Sequence, residues 1–145
     1  MSRQYRQKKN SMADDKPNNK PSILLVDDDK FLLDMYAMKF SQAGYNVHAS
    51  LSVRNALDTL RGGFKADAVV FDLVMPQEDG FFLLDVIGRE KLAPNAALIP
   101  LSNQSDESEK KKAIALGATH YIVKASMIPS EVVDAIGAEI KKNKK

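Results

Sequence analysis

The feature that most constrains this chain is a fivefold alternation of short apolar runs with stretches of helical period. SILLV (22–26), YNVHA (45–49), DAVVF (67–71), AALIPL (96–101) and THYIV (119–123) have the length and side-chain content of strands. Between them, Leu32, Tyr36, Phe40 and Ala43 share one helical face over 30–43, and Val53, Ala56, Leu57 and Leu60 share a second. Leu83, Leu84 and Ile87 mark a third helix beginning near Gly80. A fourth is expected over 106–116, and Val132, Val133, Ile136 and Ile140 stripe the fifth. Ser52 is placed to cap the second helix, and Gly44, Gly62-Gly63 and Gly117 stand where the first, second and fourth should stop. Strands without polar alternation, each followed by a helix, imply an α/β fold with a doubly wound parallel sheet covered on both faces. Right-handed crossovers leave few topologies for it. Pro100 inside the fourth run removes a ladder donor, which implies a bulge there or a shorter strand.

A length of 145 residues suits one domain with its own core. The absence of cysteine excludes disulfides, zinc–thiolate sites and cysteine nucleophiles. No apolar run approaches the roughly 18 residues of a membrane span. The opening MSRQYRQKKN is basic without an apolar segment behind it, so no secretory signal is expected and the default address is cytoplasmic. Residues 1–21, polar and proline-punctuated, are expected to be a disordered basic arm, with the domain over 22–141 and a basic tail over 142–145. The arm holds six Lys/Arg and two Asp, and the last five residues hold four lysines. That leaves 11 Lys/Arg against 17 Asp/Glu in residues 22–140, so the body is acidic. The basic ends are read as solubilising termini rather than a nucleic-acid or lipid footprint.

In open α/β sheets, ligands bind beyond the carboxyl ends of the strands. Asp27, Asp28 and Asp29 follow the first run, Asp72 the third, Ser102 and Asn103 the fourth, and Lys124 the fifth. Each has an ordinary explanation when taken singly: Asp27–Asp29 as helix caps, Asp72 as a turn residue before Met75-Pro76, Ser102 as a loop hydroxyl, Lys124 as a solvated charge. Asp29 is assigned to capping alone. Jointly they are a carboxylate cluster, and such groups repel by several kcal/mol at ~4 Å with an effective dielectric near 20. A hard divalent cation, Mg²⁺ or Mn²⁺, would relieve that crowding, since no His or Cys stands near these positions. An aspartate beside such an ion can act as a nucleophile toward phosphorus, with Lys124 and Ser102 meeting the phosphoryl oxygens.

ILLVDDD (23–29), VVFDLVMPQEDG (69–80), LIPLSNQ (98–104) and GATHYIVKA (117–125), in this order, resemble the receiver domain of two-component response regulators, the group that includes the chemotaxis regulator. The resemblance covers about residues 22–141. It implies a flavodoxin-like (βα)5 sheet of order 2-1-3-4-5. It further implies that Asp72 is the phosphoacceptor, that Asp28 is a direct Mg²⁺ ligand and Asp27 one acting through water, and that the Val74 backbone carbonyl completes the metal site with Asp72. Ser102 and Tyr121 match the switch residues and Lys124 the lysine paired with the phosphoacceptor. The implied phosphodonor is a histidine kinase or histidine phosphotransfer protein. The implied output is contact with a downstream protein, without direct DNA binding and without turnover as an enzyme.

Three positions depart from the family pattern. Asn103 stands where a small residue is usual and narrows access to the site. Ala125 stands where proline is usual and leaves that loop less constrained. Phe82 replaces a polar residue, making Phe81-Phe82 either an apolar spot for a partner or a single surface aromatic. Two other functions fit the residues. One is a constitutive docking module that is never phosphorylated, favoured only by Asn103 and Ala125. The other is a Mg²⁺-dependent phosphohydrolase, disfavoured by the lack of a cap domain or second pocket.

Overall fold

The computed structural model describes residues 20–103 and 105–143. The arm expected over 1–21 lies outside the described residues except for its last two, and the expected tail is described only to Asn143. The strands are β1 (Ser22–Val26), β2 (Asn46–Ser50), β3 (Ala68–Asp72), β4 (Ala97–Ser102) and β5 (Ile122–Val123). The helices are α1 (Lys30–Gln42), α2 (Val53–Arg61), α3 (Gly80–Glu90), α4 (Glu107–Ala115) and α5 (Pro129–Asn143), with a 3-10 turn over Lys124–Ser126. All strand pairs are parallel, in the order β2-β1-β3-β4-β5. This is the doubly wound flavodoxin-like sheet expected from the sequence.

The side-chain period of two divides the core. Ile23, Leu25, Ala68, Val70, Ala97, Ile99 and Leu101 pack under α1 and α5. Leu24, Val26, Val69, Phe71 and Leu98 face α2, α3 and α4. β3 and β4 are buried at every residue, which is why their sequences run apolar without alternation. The lower edge is closed by Asp67, whose carboxylate accepts the Ser22 N–H at 2.8 Å while its own N–H donates to the Ser22 carbonyl at 2.7 Å.

Several local expectations shift by a residue or more. β2, β3 and β4 start and end one position later than the apolar runs suggest, so Asp72 and Ser102 are the last residues of their strands. α1 buries Leu33, Tyr36 and Phe40, while Leu32 is half-buried and Ala43 is an exposed C-cap. Leu32 and Leu33 both fit a helical spacing with Tyr36, and only the position of the sheet decides between them. Gly44 adopts φ 99° just past the cap, and the Tyr45 N–H returns to the Phe40 carbonyl, the left-handed closure its position suggested.

Pro100 is neither bulged nor at a strand end, for it pairs level with Phe71 inside β4. Leu98 turns both its backbone groups toward the β5 side, donating to Thr119 Oγ1 and accepting from the Thr119 N–H, each at 2.7 Å. Backbone direction alternates along a strand, so Pro100 also faces that side, where its missing N–H would have met β5. β5 accordingly starts only at Ile122, paired with Leu101, and not at Thr119 as its composition suggested.

Candidate functional site

β1 and β3 pair Val26 with Phe71, so the residues that follow, Asp27 and Asp72, emerge level at the upper edge. By alternation both continue the face covered by α1 and α5, as Lys124 does after Ile122 on β5. Topology thus gathers groups from three separate loops. Asp27, Asp28 and Asp72 each offer a carboxylate oxygen, and these atoms lie within 4.8 Å of one another. Asp27 and Asp72 are buried and Asp28 is exposed. Lys124 Nζ, itself largely buried, stands 3.6 Å from Asp27 Oδ2 and 4.0 Å from Asp72 Oδ1. These are ion-pair separations, longer than hydrogen bonds.

Each carboxylate has a defined setting. Asp27 Oδ1 accepts the Asp29 N–H at 2.9 Å, and the Asp27 N–H donates to the Ser50 carbonyl at 3.1 Å. Asp29 turns away and caps α1, accepting the Leu32 N–H at 3.2 Å. Asp72 Oδ1 accepts the Val74 N–H at 3.4 Å. Burial is the main cause that holds the Asp72 carboxyl above its ordinary value of 3.8. The Lys124 ammonium opposes the rise, Asp27 adds to it, the Val74 N–H opposes it, and Asp28 adds a little more. Three acids at this spacing repel by about 3 kcal/mol per pair at an effective dielectric near 20, more than one lysine at 3.6–4.0 Å comfortably offsets. All-oxygen donors with surplus negative charge and one exposed side suit Mg²⁺, or Mn²⁺, better than a softer ion.

Ser102 ends β4, buried, opposite Val123. Tyr121 is half-buried, and its hydroxyl donates to Glu109 Oε1 at 3.4 Å, linking the start of β5 to α4. Val74, whose N–H reaches Asp72, has an exposed side chain. Asn103 is exposed beyond Ser102, and Ala125 lies within the 3-10 turn. Phe81 packs partly against the core with Lys112 Nζ 4.4 Å from its ring centroid, which leaves Phe82 as a single surface aromatic.

Two contributors escaped sequence reasoning. Gly80 opens α3 so close to β3 that a Cβ there would lie 2.8 Å from the Asp72 carbonyl oxygen and 2.9 Å from Leu73 Cα. The spacing of D-x-x-M-P-x-x-x-G contained that signal, since a glycine opening a helix beside a strand end implies close approach. Tyr36, assigned to the core by its helical period, shares a small cavity with Asp27.

Comparison with known proteins agrees with this geometry. The family model described as response regulator receiver domain matches residues 23–136. The chain is 35% identical over 103 residues to the two-component response regulator ARR10 of Arabidopsis thaliana, covering 70% of this chain and 18% of that protein. It is 30% identical over 123 residues to the response regulator SaeR of Staphylococcus aureus, covering 85% of this chain and 52% of that one. The chain therefore spans about half or less of the curated relatives it matches. In fold it is similar to a CheY-like receiver domain protein from Methanospirillum hungatei, with TM-score 0.78, 24% identity and coverage of 87% and 98% of the two chains.

Proposed function

Because the chain belongs to the response regulator receiver domain family of two-component systems, we propose that it accepts a phosphoryl group on Asp72 and signals by protein contact. The convergence of Asp27, Asp28 and Asp72 beside Lys124 carries this assignment. One Asp72 carboxylate oxygen attacks the phosphorus of a phosphohistidine. An O–P bond forms, the P–N bond of the donor breaks, and the imidazole leaves with the electron pair. Lys124 meets one phosphoryl oxygen and the Ser102 hydroxyl another, while the Val74 N–H and its loop hold Asp72 in line. Asp27, Asp28, Asp72 and the Val74 carbonyl would hold Mg²⁺, which when bound supplies neutralisation of the phosphoryl charge. Water later cleaves the acyl phosphate, returning the carboxylate, so the chain modifies itself and turns over no separate substrate.

Three large apolar side chains close in sequence to the site residues are strongly exposed. Phe31, Val74 and Ile128 are 80%, 68% and 61% exposed, the highest values for such residues among those described, and each lies within four positions of Asp27, Asp72 or Lys124. Exposed apolar residues next in sequence to an acidic site suit a donor carried on a protein, a histidine kinase or phosphotransfer protein in the cytoplasm. Phosphoryl capture would draw Ser102 inward and bias Tyr121 and α4 toward a second packing read by a downstream protein.

Incubation with acetyl phosphate and Mg²⁺ followed by intact mass measurement tests the proposal. The expected outcome is a gain of one phosphoryl group, lost in Asp72→Asn and on chelation of the metal. No gain in the wild type would sink it and favour the constitutive docking module.

A further inference from the structure

We propose that the lower edge of the sheet, opposite the acidic site, docks on an anionic lipid bilayer through lysines of the body and of both chain ends. The proposal stands apart from phosphoryl transfer and does not require Asp72 to be modified.

Because all five strands are parallel, they end together at the upper edge and start together at the lower one. Among the described residues, the upper-edge segments 27–29, 51–52, 73–79, 103, 105–106 and 124–128 hold six acids and one lysine, with Asp72 besides. The lower-edge segments 20–21, 43–45, 62–67, 91–96, 116–121 and 141–143 reverse that balance. They hold Lys20, Lys65, Lys91, Lys141 and Lys142 against a single acid. All five lysines are exposed. The acid is Asp67, whose carboxylate already accepts the Ser22 N–H at 2.8 Å.

Both chain ends join the body at this edge. Residues 1–21 lead into β1 and carry six Lys/Arg against two Asp. Asn143 ends α5 here, its Nδ2 donating at 2.9 Å to the carbonyl of Asn95, two residues before β4, and residues 141–145 carry four lysines. β1 and β4 are two places apart in the sheet, on the order of 10 Å. Taken singly, each end is a solubilising terminus. The fold sets both beside Lys65 and Lys91, on one side of an otherwise acidic body.

Lysines spread over loops form a broad array of point charges, which suits many headgroups on a plane better than one phosphate in a pocket. Nucleic acid fits less well. All five described α-helices start at the upper edge, so none can lead into a groove from this one. Arg3 and Arg6 are the only arginines among the ten basic residues of 1–21 and 141–145, and arginine is the residue that grips phosphates and bases bidentately. An anionic plane attracts the lower edge and repels the upper one, so the docked domain presents Asp27, Asp28 and Asp72 to the solution.

Co-sedimentation of the full chain with vesicles tests the proposal. Vesicles of equal parts phosphatidylglycerol and phosphatidylcholine should pellet it at about 0.1 M salt and roughly tenfold less at about 0.5 M, through screening. Phosphatidylcholine alone should pellet none. Lys65→Gln with Lys91→Gln should weaken vesicle binding about tenfold, as should Lys141→Gln, Lys144→Gln and Lys145→Gln together. Lys110→Gln with Lys111→Gln makes the same charge change at exposed positions of α4 and should leave binding within about twofold of wild type. No binding to the anionic vesicles, equal binding to neutral ones, or an equal loss in the α4 variant overturns the proposal. Tighter binding to duplex DNA at matched phosphate concentration overturns it in favour of a nucleic acid.

Discussion

Asp72 is the residue on which the site's electrostatics concentrate. Its carboxyl is held above 3.8, chiefly by burial and with Asp27 adding to the rise, despite the Lys124 ammonium 4.0 Å away. An acid whose pKa is raised binds its proton more tightly folded than unfolded, so ionising it costs stability. That loss sets in as pH rises from about 3.8 through the raised value and persists at neutral pH. Asp72→Asn should therefore stabilise the metal-free chain at pH 7, since the folded wild type must hold there a charge that its surroundings disfavour. The gain should shrink as pH falls through the raised value and vanish below about 3.8, where the wild-type carboxyl becomes protonated in both states. Mg²⁺ should narrow the gap from the other side, raising the melting temperature of the wild type and leaving Asp72→Asn nearly unmoved. Urea titrations at pH 7 and pH 4 check the sign. A destabilised Asp72→Asn at pH 7 would mean that Lys124 outweighs burial and the neighbouring acids.

At the scale of elements, the site depends on how closely helices start beside strand ends. α3 begins at Gly80, whose N–H donates to the Leu73 carbonyl at 3.0 Å. A methyl at that position would meet the Asp72 carbonyl oxygen, Leu73 Cα and Phe71 Cδ2, all below 3.0 Å, and two of the three are backbone. Backbone cannot rotate aside, so Gly80→Ala should cost about 1–3 kcal/mol, the usual range for overpacking, and displace Asp72. A urea midpoint equal to wild type would contradict this. The same elements show what a sequence reveals. β3 and β4 were legible because burial on both faces leaves an uninterrupted apolar run, and Ser52 and Asp29 were legible as caps because the side chain does its work within three residues. β5 was not legible in its length, because its shortening originates in Pro100 on a neighbouring strand. The spacing that marked Tyr36 as core reports which side of α1 meets the sheet. It does not report how near the upper edge the side chain reaches, which is why its cavity with Asp27 emerged only from the fold.

Across the whole molecule, the sheet order made the carboxylate cluster legible before any distance was known, because a parallel order of 2-1-3-4-5 places the ends of β1, β3 and β5 at one edge. What it could not show is how unequally the helices are anchored. α1 buries Leu33, Tyr36 and Phe40, and α5 buries five side chains including Ile136 and Ile140. α4 buries only Ala113. It is held instead by local chemistry. Asp106 caps it by accepting the Ser108 and Glu109 N–H groups, Glu107 and Glu109 stand in its first turn, and Lys112 lies at its end and over Phe81. Such interactions keep a helix formed without fixing its position on the core. Tyr121, on the β5 side, reaches Glu109 only at 3.4 Å. A helix anchored this lightly is the element that the phosphoryl chemistry proposed at Ser102 would displace at least expense, and it begins five residues beyond that serine. Amide hydrogen exchange should accordingly find residues 107–115 at least roughly tenfold less protected than α1 or α5 in the unmodified chain, since protection follows the free energy of local opening. Addition of acetyl phosphate with Mg²⁺ should change protection in 107–115 and around Tyr121 while leaving α2, with its four buried side chains, as it was. Equal protection of α4 and α5, or a response spread evenly over all five helices, would exclude α4 as the moving part and place the output of the site elsewhere on the fold.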